Sequence, residues 1–111
     1  MKDDSVYLQY ILECIRRIEE DIACEYDRFM ESHTCQDAVL RNLQTIAEST
    51  QRLSEDIKSA YPEVEWRSIA AFRNVLVHDY LGIDIERIWG IVQEDVPGLK
   101  KIIQNMFDDI S

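Results

Sequence analysis

Apolar residues recur three and four positions apart through nearly the whole chain, and almost nothing interrupts them. Leu8, Ile11, Ile15, Ile18 and Ile22 open the pattern, and Leu99, Ile102, Ile103, Met106 and Phe107 close it. Such spacing puts apolar side chains on one face of a helix. Strand-like alternation is missing, and 111 residues contain only three glycines and two prolines. An all-α chain is expected, folded as one domain over residues 1–111.

The punctuation divides this pattern into four or five helices. The first is expected from about Asp4 to about Glu31, capped by Asp4 or Ser5, with Tyr26 and Phe29 continuing its apolar stripe. Ser32-His33-Thr34-Cys35 reads as a break, with Thr34 and Asp37 placed like a capping box. A second helix then carries Val39, Leu43, Ile46, Ala47, Leu53 and Ile57 inward, as far as about Ala60. Glu48 lies close to that stripe, with Arg52 one turn on as its simplest partner. Tyr61-Pro62 stops the helix, because the residue before proline avoids helical geometry. A third helix starts near Glu65 or Trp66. Asp84 caps a fourth, with Ile85, Ile88, Trp89 and Val92 as its apolar face, and Pro97-Gly98 interrupts or kinks it. Short connections favour an antiparallel bundle of four to five helices.

Charge and cysteines narrow the function. The formal net charge is −10, which argues against generic nucleic-acid binding through a basic surface. A local cationic cleft remains compatible with an RNA substrate. Cys14, Cys24 and Cys35 lack zinc-ligand spacing and read as small reduced residues, so no metal site is expected. His33 reads as a surface residue in a turn. No apolar run reaches membrane-span length and no signal-peptide core follows the start, so a cytoplasmic location without membrane attachment is expected.

The third helix carries Arg73-Asn74-Val75-Leu76-Val77-His78-Asp79-Tyr80. On an ideal helix Arg73, Asn74, His78 and Tyr80 fall within about 160° of arc, and Ile69, Phe72, Val75 and Leu76 fall on the other side. A cation, an amide, an imidazole and a phenol on one face suit phosphate chemistry. Arg73 offers a planar fork that fits a phosphate, and His78 is the natural acid–base near neutral pH. Asn74 stands one turn before His78 and can orient its ring. Asp79 points elsewhere, as a surface charge or a cap. Trp66, Ala70 and Val77 share the Arg73 side, so the helix is apolar nearly all round, as expected for a helix covered by a second subunit.

Taken with its neighbours, the octapeptide resembles the HepT-like toxins of the HEPN superfamily. The resemblance runs from Ala38-Val39-Leu40-Arg41-Asn42-Leu43-Gln44 and Glu48, through Tyr61-Pro62-Glu63-Val64-Glu65-Trp66 and Arg73-Asn74-x-x-x-His78-x-Tyr80, to Gly82-Ile83-Asp84, Ile88-Trp89 and Asp95-Val96-Pro97-Gly98-Leu99. Ala47-Glu48-Ser49 stands where many relatives have Gly-Glu-Ala. The resemblance implies a HEPN-like bundle and a homodimer in which the third-helix motifs face each other. It also implies metal-independent cleavage of RNA without a cofactor, with Arg73 and His78 catalytic and Asn74 supporting. The implied context is a type VII toxin–antitoxin pair, whose nucleotidyltransferase antitoxin transfers AMP to Tyr80. The alternative is a non-catalytic helical subunit that positions substrate for a nucleotidyltransferase.

Overall fold

A computed structural model describes residues 3–23 and 25–110, with Tyr80 described for its backbone alone; Cys24 lies outside the described residues. Helix α1 spans Asp4–Asp21, α2 Tyr26–Glu31, α3 His33–Gln51, α4 Glu55–Ala60 and α5 Trp66–His78. A short 3-10 turn covers Tyr80–Gly82, followed by α6 at Ile85–Gly90, a π-helical segment at Ile91–Asp95 and α7 at Val96–Ile110. No strand occurs among the described residues, so the all-α expectation holds.

Leu8, Ile11, Ile15 and Ile18 are fully buried on α1, which packs against α3 and α7. Val39, Leu43 and Ile46 of α3 meet them, as do Ile103 and Met106 of α7. Truncating a side chain such as Ile15 to alanine in this core should cost about 2–5 kcal/mol. Helix α5 packs on α3 and buries Leu76. One side of α5 is thus seated and the rest is open.

The first two expected helices are each broken once. Residue 22 caps α1, its N–H donating to the carbonyls of Ile18 and Glu20, and α2 starts afresh after Glu25. The new direction buries Phe29 against Trp89, with ring centroids 5.1 Å apart, and leaves Tyr26 to donate to Glu86 at 2.8 Å. The second break falls at Arg52–Ser54. The Ser54 hydroxyl accepts from the Ile57 N–H and starts α4, while the Asp4 carboxylate accepts from the Ser54 N–H at 2.8 Å and from its hydroxyl at 2.7 Å. Asp4 therefore ties the start of α1 to the start of α4, and Asp3 caps α1 by accepting from the Ser5 N–H. Likewise Ser32, rather than Thr34, caps α3 by accepting from the Cys35 N–H, and His33 is the exposed first residue of that helix.

Asp84 caps α6 as expected, accepting from the N–H groups of Glu86 and Arg87. Pro97 does not break the chain's last helix. Proline lacks an N–H and its ring clashes with the carbonyl four residues back. The backbone widens before it, the Val96 N–H donating to the Ile91 carbonyl, so α6 and α7 continue through a π-helical segment.

Candidate functional site

The octapeptide occupies the second half of α5 and the turn that follows. Its residues do not share one face in the way the helical wheel suggests. Leu76 is buried, Ile69 and Phe72 are half-buried, and Val75 is 47% exposed, so the inward direction lies close to Arg73 itself. Arg73 leans towards α3, where its Nε lies 3.6 Å from Oε1 of Glu48. Asn74 and His78 are exposed. The structure therefore anchors the cation on the bundle wall and leaves the imidazole at the rim.

Glu48 is the residue that sequence reasoning missed. Its expected partner was Arg52, but its carboxylate faces Arg73 instead and also accepts from the Gln44 side chain at 2.9 Å. The Arg73 Nε is buried and makes no hydrogen bond, since 3.6 Å is beyond hydrogen-bond reach. The contact is thus an ion pair that holds the base of the guanidinium. Glu48's place beside the inward stripe of α3 was the available signal, because a carboxylate there needs a partner on the neighbouring helix.

Asn74 also takes a different partner. Its Oδ1 accepts from Arg73 Nη1 at 3.5 Å, the outer limit of a hydrogen bond, and no bond joins it to His78 among the described residues. It thus belongs to the guanidinium rather than the imidazole. His78 is the last residue of α5. The helix stops because Asp79 leaves helical geometry, with φ −128° and ψ 38°.

The turn after His78 depends on Asp79 and Gly82. The Gly82 N–H donates to the Asp79 carbonyl at 3.0 Å. The Asp79 carboxylate folds over the same glycine, where a Cβ would stand 2.6 Å from Oδ1. Asp79 is therefore the C-cap of α5 and packs on the turn. Tyr80 opens that turn instead of continuing the helix, so its wheel position relative to Arg73 no longer applies. Its side chain lies outside the described residues. Leu81 beside it is 98% exposed.

Other candidate chemistry is sparse. Burial pushes the Cys14 thiol up from its ordinary value, and the Cys35 thiol donates to the Asp21 carbonyl at 3.0 Å. Among the described residues, no group of three or more His, Cys, Asp and Glu side chains is placed to hold a metal ion. No helix among them is long and apolar enough to cross a membrane.

Fold and site together define an all-α, HEPN-like bundle with an anchored guanidinium and an exposed imidazole on one helix. Comparison with known proteins agrees. The family model for ribonuclease HepT-like proteins matches residues 11–106. A Thermococcus cleftensis protein named "Probable ribonuclease HepT" is 38% identical over 96 residues, covering 85% of this chain and 86% of its own length. A "Putative RNase" of Methanocaldococcus jannaschii is 35% identical over 106 residues, covering 93% of this chain and 95% of its own. A longer protein from the same organism, "Gamma-glutamylcyclotransferase and putative RNase", is 34% identical over 98% of this chain, which spans 50% of that relative's length. No solved structure matches. The chain belongs to the HepT-like family of ribonucleases.

Proposed function

We propose that the chain is a metal-independent endoribonuclease that works as a homodimer and serves as the toxin of a toxin–antitoxin pair. The observation that carries this reading is the division of labour on α5. Arg73 is fixed at its base by Glu48, and His78 stands exposed five residues on. RNA cleavage without a metal needs a base for the 2′-hydroxyl, an acid for the leaving oxygen and a cation for the phosphorane. The 2′-oxygen attacks phosphorus, the bond to the 5′-oxygen breaks, and the products carry a 2′,3′-cyclic phosphate and a 5′-hydroxyl. One imidazole takes the 2′ proton and a second protonates the 5′-oxygen. Arg73 neutralises charge on the equatorial oxygens.

A second copy supplies the second imidazole. Val75 and Val77 are 47% and 37% exposed on α5, and Leu81 projects from the turn beyond it. This apolar surface around His78 supports a seam there. Trp66 contributes less to such a seam than its wheel position suggests, because its indole N–H donates within the chain to the carbonyls of Lys58 and Tyr61. Tyr80, two residues beyond His78, is the residue that a nucleotidyltransferase antitoxin would modify with AMP. A phosphodiester there would meet the incoming RNA with like charge and bulk.

His78→Ala tests the reading. The variant should keep its helical circular dichroism and its dimeric mass by light scattering, and should no longer cut RNA. Cleavage at the wild-type rate would refute the assignment.

A further inference from the structure

We infer that the groove between α4 and the first turns of α5 binds the RNA strand on one side of the cleaved bond, an inference that rests on the ribonuclease reading above. The groove encloses about 640 Å³ and includes Lys58, Ser59, Trp66, Arg67, Ser68 and Ala70 in its lining. Ala70 lies one helical turn before Asn74, so the groove continues along the α5 edge that leads to the candidate site. Arg67 precedes His78 by eleven residues, about 16.5 Å along the axis and within about 20° around it, so the two lie on one side of α5. A strand lying across Arg73 and His78 would therefore bring neighbouring nucleotides to this groove.

Its chemistry suits a single strand. Arg67 is exposed and is in no ion pair among the described residues. The Trp66 indole N–H donates to the Lys58 carbonyl at 3.1 Å and the Tyr61 carbonyl at 3.2 Å, which fixes the half-buried ring. A fixed aromatic ring beside a guanidinium can stack a base while the cation holds a phosphate. The groove also contains two carboxylates. Glu55 faces the Lys58 ammonium at 3.3 Å, and Glu65 is exposed at the N-cap of α5. Two cations against two carboxylates leave it neutral in a chain whose formal net charge is −10. A second groove of about 640 Å³, between α3, α5 and α7, carries Glu63, Glu65, Glu94 and Asp95 against Arg87. That groove repels phosphate, so a strand is steered to the α4 side.

Binding of a fluorescent 2′-O-methyl RNA oligonucleotide, which lacks the attacking hydroxyl, reads the groove independently of cleavage. Arg67→Ala should weaken binding by about tenfold and lower the slope of log affinity against log salt by about 0.7, the value for one lost phosphate contact on a single strand. The loss should be larger for the oligonucleotide than for a dinucleotide, and Arg67→Lys should recover part of it. Wild-type affinity and slope in Arg67→Ala would overturn the inference, as would an equal loss on both lengths. Failure of the wild type to cleave ordinary RNA, with the Arg67-dependent slope intact, would instead remove the ribonuclease reading and leave the groove standing as an RNA site.

Discussion

Removing the Glu48 carboxylate should damage activity far more than stability. The ion pair to Arg73 spans 3.6 Å with side chains 42% and 31% exposed, so it sits between surface and interior. Exposed pairs contribute up to about 1 kcal/mol, and breaking a fully buried one costs about 3–5 kcal/mol. Glu48→Ala should therefore destabilise the fold by about 1–2 kcal/mol, which lowers Tm by roughly 4–12 °C in a domain of this size. Without Glu48 the base of the guanidinium loses its anchor, and a displacement of about 1 Å can cost about 100-fold in rate. Glu48→Gln keeps an acceptor for Gln44 but loses the charge, so its activity should fall between the two. Thermal melts and cleavage of a fluorogenic RNA measure both effects. The decisive comparison is a double-mutant cycle: in an Arg73→Ala background, Glu48→Ala should cost no further activity. Losses that multiply would show that Glu48 acts apart from Arg73 and would refute the anchoring argument.

Two further outcomes follow from the site and its surroundings. With ATP and the proposed nucleotidyltransferase antitoxin, AMP mass should appear on the peptide containing Tyr80, and Tyr80→Phe should stay folded and resist the modification; AMP found only on Tyr7, Tyr10, Tyr26 or Tyr61 would contradict this. Stability should also fall at both ends of the pH scale. The Arg16 and Arg17 guanidiniums hold the Glu13 carboxyl down at about 2 from 4.5, so its contribution is present above pH 4.5 and lost as pH falls towards 2. The hydrogen bond to Asp109 raises the Tyr61 phenol above 10, so its contribution is present below pH 10 and lost as pH rises beyond it. Urea titrations of Glu13→Gln and Tyr61→Phe should show a flattened acid limb and a flattened alkaline limb respectively.

Much of the bundle was legible because burial follows helical spacing. Ile15, Leu43, Ile88 and Ile103 all lie on the stripes their periodicity marks, and all are buried. Pro62 and Asp84 marked their boundaries through local chemistry that acts in any context. The break after α1 and the one at residues 52–54 were not legible, since no glycine or proline marks either. Partners distant in sequence help hold both turns: Tyr26 bonds to Glu86, and Asp4 to Ser54. The site shows the same division. Arg73 and His78 could be singled out as residue types in a spacing, but a helical wheel has no neighbouring helix. It could not pair Glu48 with Arg73 or move Asn74 from the imidazole to the guanidinium. It also assumed that the helix ran on to Tyr80, whereas it stops at His78 with Asp79 as its C-cap.

RNA cleavage by protein side chains, with Arg73 and His78 as the reacting groups, has a chemical signature in its products. It is tested most directly by incubating the purified chain with single-stranded RNA in EDTA and determining the ends of the fragments. Cleavage should be undiminished and leave 2′,3′-cyclic phosphates and 5′-hydroxyls, with no such fragments from Arg73→Lys, whose point charge cannot replace the planar fork. Cleavage abolished by EDTA, or fragments carrying 5′-phosphates, would contradict it.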